Sequence, residues 1–471
     1  MLAFRRIASL SRASVALLAC GLAALLPLAL PMGAHAASGD LTWYYSDDSP
    51  TGAVDGIDAA ARGPNGSMYA AFHWGTDWTV GGDLGMIRFR PKADPPGPVM
   101  WQRAYDDPDY HMGDDPSCIA VDAAGNVIAG GQTQTTPEAI DWVVVKWLAD
   151  GTQAWVSTFA GKAHEDDWLD DVACDKAGNV YACGQIDVGS GNYDWLVTKY
   201  RASDGKLLWK YVYSGPKGSA RADWAHALVV DASGDLYVTG SSERPNSNKD
   251  LIVMRLSHKG KASWIRRVDG AAHATDYGSD IALYEGSVYV VGQSWSAGGT
   301  NRVLLARYGS SGDRAWLRTW RSSLGNAARV RGFALDGAGN AVVAGVVAGG
   351  APDPMAFLVS WTSGGRLRWS DTYWRKATGE QAAYNALAVD DKGRIWAAGS
   401  VGDTDASTKD GLLARYQPSG KRRWMRTFDG GDHMDAWFSA LVLWGGASLF
   451  TGGTTGTMNG GADLLAAKYV R

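Results

Sequence analysis

The sequence predicts an all-β chain folded as an eight-bladed β-propeller with four-stranded blades. Two observations predict it. The first is a repeated motif. Gly39, Gly97, Gly151, Gly205, Gly260, Gly312, Gly365 and Gly420 each stand four residues before a tryptophan: Trp43, Trp101, Trp155, Trp209, Trp264, Trp316, Trp369 and Trp424. Successive tryptophans lie 52 to 58 residues apart, so one supersecondary unit repeats along the chain. The second is how the two ends fit. The last unit, from about residue 435, has three strand-like runs and no Gly-x-x-x-Trp run, whereas Trp43 has no three strands before it. Pairing residues 41–46 into the last unit completes the eighth blade and closes the ring. Closure removes sheet edges that would otherwise recruit other chains.

The third unit displays the elements in order. Residues 170–175 (DDVACD) are a first strand, and residues 176–179 a tight glycine-containing turn. Residues 180–184 (VYACG) are a second strand, followed by a polar loop over 185–193. Residues 194–200 (DWLVTKY) and 207–213 (LLWKYVY) are the third and fourth, with a turn at 203–206. Short β-branched and aromatic runs separated by Gly, Asn and Asp mark strands. Four per unit, repeated, select a propeller over a sandwich.

Residues 1–36 read as a signal peptide to be excluded from the fold, leaving 37–471 as one domain. Arg5, Arg6 and Arg12 form its positive region, residues 15–30 its apolar region, and Ala34-His35-Ala36 its cleavage site. This implies export to the periplasm or the medium. Cys20 loosely matches a lipoprotein cleavage box, but the apolar run continues past it. No other run approaches the ~18–20 residues of a membrane span. The chain has 45 basic and 49 acidic residues, and the leader holds three arginines and no acid, so the remainder carries a net charge of −7. That balance excludes nucleic acid as a partner and admits a glycan, a cationic ligand or a protein; a monomer is expected. Three cysteines remain, Cys118, Cys174 and Cys183. Repeat alignment puts Cys118 on one face of its sheet, and Cys174 and Cys183 together on the opposite face of the next. They read either as small buried residues or as one disulfide with Cys118.

The turns between first and second strands, and between third and fourth, are short. The other two connections are longer, variable, and on one end of the ring, which is where a rigid scaffold usually binds. An acid recurs there eight residues before the turn: Asp55, Asp114, Asp167, Asp223 and Asp276, with Asp435 one position off and Ala328 and Ala382 in units six and seven. An aromatic follows as Trp168, Trp224, Tyr277 and Trp437. A histidine precedes as His111, His164, His273 and His433. The functional reading is a rosette at the channel mouth. Its carboxylates and imidazoles suit a divalent cation, and its aromatic faces beside acids suit sugars or cations. The structural reading is that each Asp caps loop N–H groups while His and Trp pack between loops. A second acid opens the third strand (Asp83, Asp141, Asp194, Asp250, Asp410, Asp463, with Asn301 in unit five) and reads as a cap. The repeated Trp reads as filling between blades.

At stretches such as AVDAAGNVIAGG (residues 120–131), ACDKAGNVYACG (173–184) and ASDGKLLW (202–209), the chain resembles two groups of bacterial β-propeller repeat proteins. One is the secreted proteins with seven-bladed-propeller-type repeats. The other is the quinoprotein-like group with Trp-docking repeats. The resemblance covers residues 39–471. Quinoprotein dehydrogenases would imply a pyrroloquinoline quinone site with bound calcium and an adjacent-cysteine disulfide, and this chain has no Cys-Cys pair. Lipoprotein members imply an outer-membrane assembly scaffold lipidated at Cys20. The chain lacks a G-x-S-x-G elbow, an H-E-x-x-H, a P-loop and a dinucleotide fingerprint. The expectation is therefore a binding or scaffold protein. An enzyme acting at the same mouth, as a glycan hydrolase or lyase or an atypical quinoprotein, is the alternative.

Overall fold

A computed structural model describes residues 3–5, 41–47, 56–74, 82–90, 99–108, 113–136, 139–161, 165–189, 191–215, 222–245, 248–296, 298–324, 327–349, 354–374, 381–402, 409–429, 435–444, 448–456 and 462–470. The described residues form strands and no helix. Successive strands pair antiparallel in groups of four. In the third unit Trp168–Cys174, Val180–Asp187, Tyr193–Tyr200 and Leu207–Tyr213 lie side by side in chain order. The fifth and sixth groups are joined by a single parallel pair, Asn301 with Ala327.

The first strand of each unit is innermost. Gly56–Arg62, Asp114–Val121, Trp168–Cys174, Trp224–Val230, Asp276–Tyr284, Ala327–Leu335, Gln381–Val389 and Ala436–Trp444 each touch the next, and the last touches the first. The series closes on itself around a lumen. Neighbouring sheets bury apolar side chains between them. At the seam, Ile57, Met68, Phe89, Phe450 and Ala466 form one fully buried cluster drawn from the first and last sheets. The strand Leu41–Asp47 completes the last sheet, pairing with Ala462–Val470 in a register that sets Tyr44 opposite Ala467.

Local chemistry sets the turns. Asp122 accepts the N–H groups of Ala124 at 3.0 Å and Asn126 at 2.9 Å, and Gly125 takes φ +83°, where a side chain would be strained. Asp175, Asp231, Asp336 and Asp390 repeat the arrangement. Asn126 then accepts the N–H of Ala149, tying this turn to the one between third and fourth strands. Lys146 lies 3.0 Å from Asp122, and this buried pair holds the corner from beneath.

Glycine and tryptophan of the repeated motif serve different junctions. Trp155 donates its indole N–H to Ala202 O in the following unit at 3.1 Å. A Cβ on Gly205, in that same turn, would lie 2.6 Å from the Trp155 ring. Trp101 meets Ala149 and Gly151 likewise, Trp209 meets His258 and Gly260, and Trp264 meets Ser310 and Gly312. Trp316 and Trp369 repeat the contact, so the indoles from Trp101 to Trp369 dock forward onto their successors. A register shift directly before the tryptophan, as between Gln153 and Trp155, turns the ring towards that neighbour.

Two features depart from the sequence reading. Ala3–Arg5, within the excluded leader, forms a short strand against Leu41–Asp47, with Phe4 opposite Tyr45. The outer edge of the last sheet offers unpaired backbone groups to any nearby extended segment. Cys174 and Cys183 do not share a face. Cys174 packs with Cys118 in one cluster and Cys183 lies in the next. Cys174 pairs opposite Val180, and Cys183 stands three residues on, so alternation along the strand places it on the other side. All three cysteines are free thiols.

Candidate functional site: the mouth of the lumen

The recurring acid is a cap. Asp114 accepts Asp107 N at 2.9 Å, Asp276 accepts Gly270 N at 2.6 Å, and Asp223 accepts Gly215 N together with Glu243 N. Asp167 takes Asp187 N at 2.8 Å and Gly161 N. Asp114, Asp167 and Asp276 are completely buried and Asp223 nearly so. Burial pushes the carboxyls of Asp114 and Asp167 up to about 7 and raises those of Asp223 and Asp276. These side chains brace the loops whose backbone N–H groups they accept. Asp435 accepts Lys409 N in the same manner. His111, His164, His433 and Asp55 lie outside the described residues. His273 is 76% exposed in a tight turn with φ +49° and pairs with Asp269 at 2.7 Å.

The acids opening the third strand also brace loops. Ser214 donates to Asp194, Arg267 lies 3.0 Å from Asp250, and Asn301 donates to Gln293. Asp250, Asp269 and Asp276 present oxygens within 4.8 Å of one another, a candidate cation cluster. Arg244 and Arg267 already compensate it, since Arg244 pairs with both Asp250 and Asp269. A divalent cation would have to displace these guanidiniums.

Of the rosette aromatics, Trp224 and Tyr277 are brought together through a third ring, and Trp168 and Trp437 stand apart from them on other strands. Trp168 and Trp224 begin their inner strands, Tyr277 and Trp437 stand second in theirs, and all four are half-buried. His226, which repeat alignment did not single out, lies between two of them. Its ring centroid is 6.1 Å from that of Trp224 and 6.3 Å from that of Tyr277. Lys249 lies 3.2 Å above the Trp224 ring, so one face of that indole already holds a cation.

His226 belongs to a second ring of positions. Every inner strand carries a β-bulge two to four residues from its mouth end. The extra residues are Asp58, Ser117, Asp170, His226, Ser279, Arg331, Asn385 and Ser439, all polar. A bulge re-aims its side chain and leaves it out of the pairing pattern. Neighbouring members meet around the lumen. His226 Nδ1 is 3.8 Å from Asp170 Oδ1, Arg331 donates to Asn385, and Asn385 Nδ2 donates to Phe438 O at 3.0 Å. Ser439 donates to Ile57 O across the seam. Fixed turn-based alignment could not reveal this layer, because the eight residues differ in type; only their shared polarity signals it.

The residue after the bulge adds acids. Asp171 accepts Val172 N at 2.8 Å and Leu228 N of the next unit at 2.9 Å. Burial brings Asp171 and Asp280 up to about 7, and for Asp171 the negative charges of Asp280 and Asp170 push further in the same direction. Burial likewise raises Asp115, which lies near His73 and Asp58.

No family model matches the chain, and no curated protein does. Solved structures match in fold. Quinohemoprotein alcohol dehydrogenase from Comamonas testosteroni aligns over 92% of this chain and 76% of its own, with TM-score 0.55 and 10% identity. Sqt1 from Chaetomium thermophilum aligns over 89% of this chain and 97% of its own, with TM-score 0.53 and 12% identity. The chain therefore has the repeated β-propeller fold. Solved structures of that shape include an alcohol dehydrogenase as well as Sqt1, so shape alone assigns no activity.

Proposed function

We propose that this chain is an exported, eight-bladed β-propeller that binds a polar ligand of glycan size at the mouth of its lumen. The observation that carries the reading is the row Trp224–His226–Tyr277, half-buried rings held on two neighbouring inner strands. Stacked rings and interspersed hydrogen-bonding groups suit the faces and hydroxyls of a sugar. The backbone bonds of Asp114, Asp167, Asp223 and Asp276 support a ligand set that leaves those acids out. The scaffold is rigid there, because each cap is backbone-bonded. Export rests on the composition of residues 1–36, and the mass of the secreted protein tests it: a chain beginning near residue 37 is expected. Binding is tested by tryptophan fluorescence titration with neutral oligosaccharides. Trp224→Ala should abolish the response while the melting temperature stays close to that of the parent. Unchanged affinity in Trp224→Ala would refute the placement.

One observation favours an enzymatic reading. Asp171 and Asp280 are carboxyls with elevated pKa beside the aromatic row, the condition for general acid catalysis near neutral pH. Turnover of a bound glycan that falls at least a hundredfold in Asp280→Asn, with binding retained, would decide for the enzyme.

A further inference from the structure

The wall of the lumen is polar in every unit, but its charge is one-sided. Acids stand at Asp58, Asp115, Asp170, Asp171 and Asp280 on the mouth half of the inner strands. Among the described residues, the only permanently cationic side chains on that half are Arg329 and Arg331, both on Ala327–Leu335. They alternate with Ala328 and Val330. Ala328 is buried whereas both arginines are solvent-accessible, so both project into the lumen. No carboxylate pairs with either among the described residues. Arg331 donates to Asn385 Oδ1, and the bond from Asn385 Nδ2 to Phe438 O fixes that amide. Enclosure by protein and the neighbouring Arg329 charge both lower the Arg331 pKa. Ala327–Leu335 and Asp276–Tyr284 are neighbouring inner strands, so the arginines and Tyr277 stand on adjacent parts of the wall, and the Arg329 charge opposes the rise that burial gives the Tyr277 phenol.

Two like charges side by side in an enclosed wall want an anion. Guanidinium matches a carboxylate in a bidentate fork. The five surrounding acids oppose a ligand of high negative charge and tolerate a single one. We propose that the mouth takes a singly charged acidic sugar, a uronate unit of a glycan, with its carboxylate on Arg329 and Arg331 and its ring beside Tyr277 and His226. This rests on the reading of the mouth as a glycan site and names the sugar class.

The test is calorimetric titration of the full chain with neutral trisaccharides that carry a single galacturonate or glucuronate unit, and with the methyl esters of that unit. The esters keep the ring and remove the charge. At least one acid form should bind ten times more tightly than its ester or better. Arg329→Gln and Arg331→Gln should erase that preference by bringing acid-form affinity down to that of the ester. Equal binding of acid and ester would overturn the acidic-sugar proposal and leave the glycan reading standing. Binding of neither, with neutral oligosaccharides also silent, would overturn both. Inorganic phosphate competing at equal concentration would overturn the uronate assignment.

Discussion

Trp155 is 7% exposed, its indole N–H is bonded forward and its ring is covered by Gly205. Replacing it by alanine should cost about 3–5 kcal/mol, the range for large aromatic residues in packed sites. Trp295 is 37% exposed, and its replacement should cost well under half of that. Denaturant unfolding of both variants checks the contrast, and equal losses would remove the docking account. Gly205 has φ +68° and no room for a Cβ. Gly205→Ala should therefore destabilise by about 1–3 kcal/mol, from left-handed strain and the clash with Trp155 together. The motif was legible in the sequence because both residues recur at fixed spacing. What could not be read there is that the glycine covers the tryptophan of the preceding unit, since that pairing spans about fifty residues. The capping role of Asp114 and Asp167 was one of two readings the sequence left open; the backbone bonds that support it join residues of different loops and strands and leave no mark in the repeat. The His226 and Arg331 positions were not legible, because a bulge ring shares only polarity and no residue type.

The strand Leu41–Asp47 belongs to the last sheet although it opens the chain. Removing residues 37–48 should leave Ala462–Val470 with an unpaired edge. The expected outcome is a lower melting temperature with concentration-dependent aggregation, seen by scanning calorimetry and light scattering. A truncated chain that melts like its parent would contradict the role of this strand. The sequence exposed the closure because three strands at one end and one at the other add up to the repeat. It did not expose the bulges of the inner strands, since a bulge is a shift of register between partners and leaves no mark in composition.

Across the whole molecule, buried acids impose a pH dependence. Asp114, Asp167, Asp171 and Asp280 have carboxyls brought up to about 7 by burial. The folded state thus holds their protons more tightly than the unfolded chain, whose carboxyls titrate near 4. Their favourable contribution is fully present below about pH 4 and is lost as pH rises through about 7. Asp122, Asp175 and Asp235 are shifted downward, Asp122 and Asp175 by hydrogen bonds from Asn126 and Asn179 and Asp235 by the His258 N–H, against the effect of burial. They act only below the ordinary carboxylate range. Melting should therefore occur at higher temperature at pH 5 than at pH 8, measured at constant ionic strength. A melting temperature that rises over that interval would refute it. The thiols give a second whole-chain measurement. Burial raises the pKa of Cys118, Cys174 and Cys183, and all three are free. Unfolded, non-reduced protein should alkylate at three sites and native protein at almost none; two fewer sites would indicate a disulfide.

The forward docking of these indoles gives the ring a sense of rotation. Trp209 leans on His258 O and Gly260, Trp264 on Ser310 O and Gly312. A break between two units therefore has unequal sides. The upstream unit is left with a bare indole and a stranded N–H. The downstream unit keeps its own tryptophan seated and loses only what rested on its turn. Fragments ending after a complete unit should be sticky at their C-terminal face, and fragments beginning with one should not. During synthesis, each completed unit would likewise wait for its successor before its outer strand is sealed.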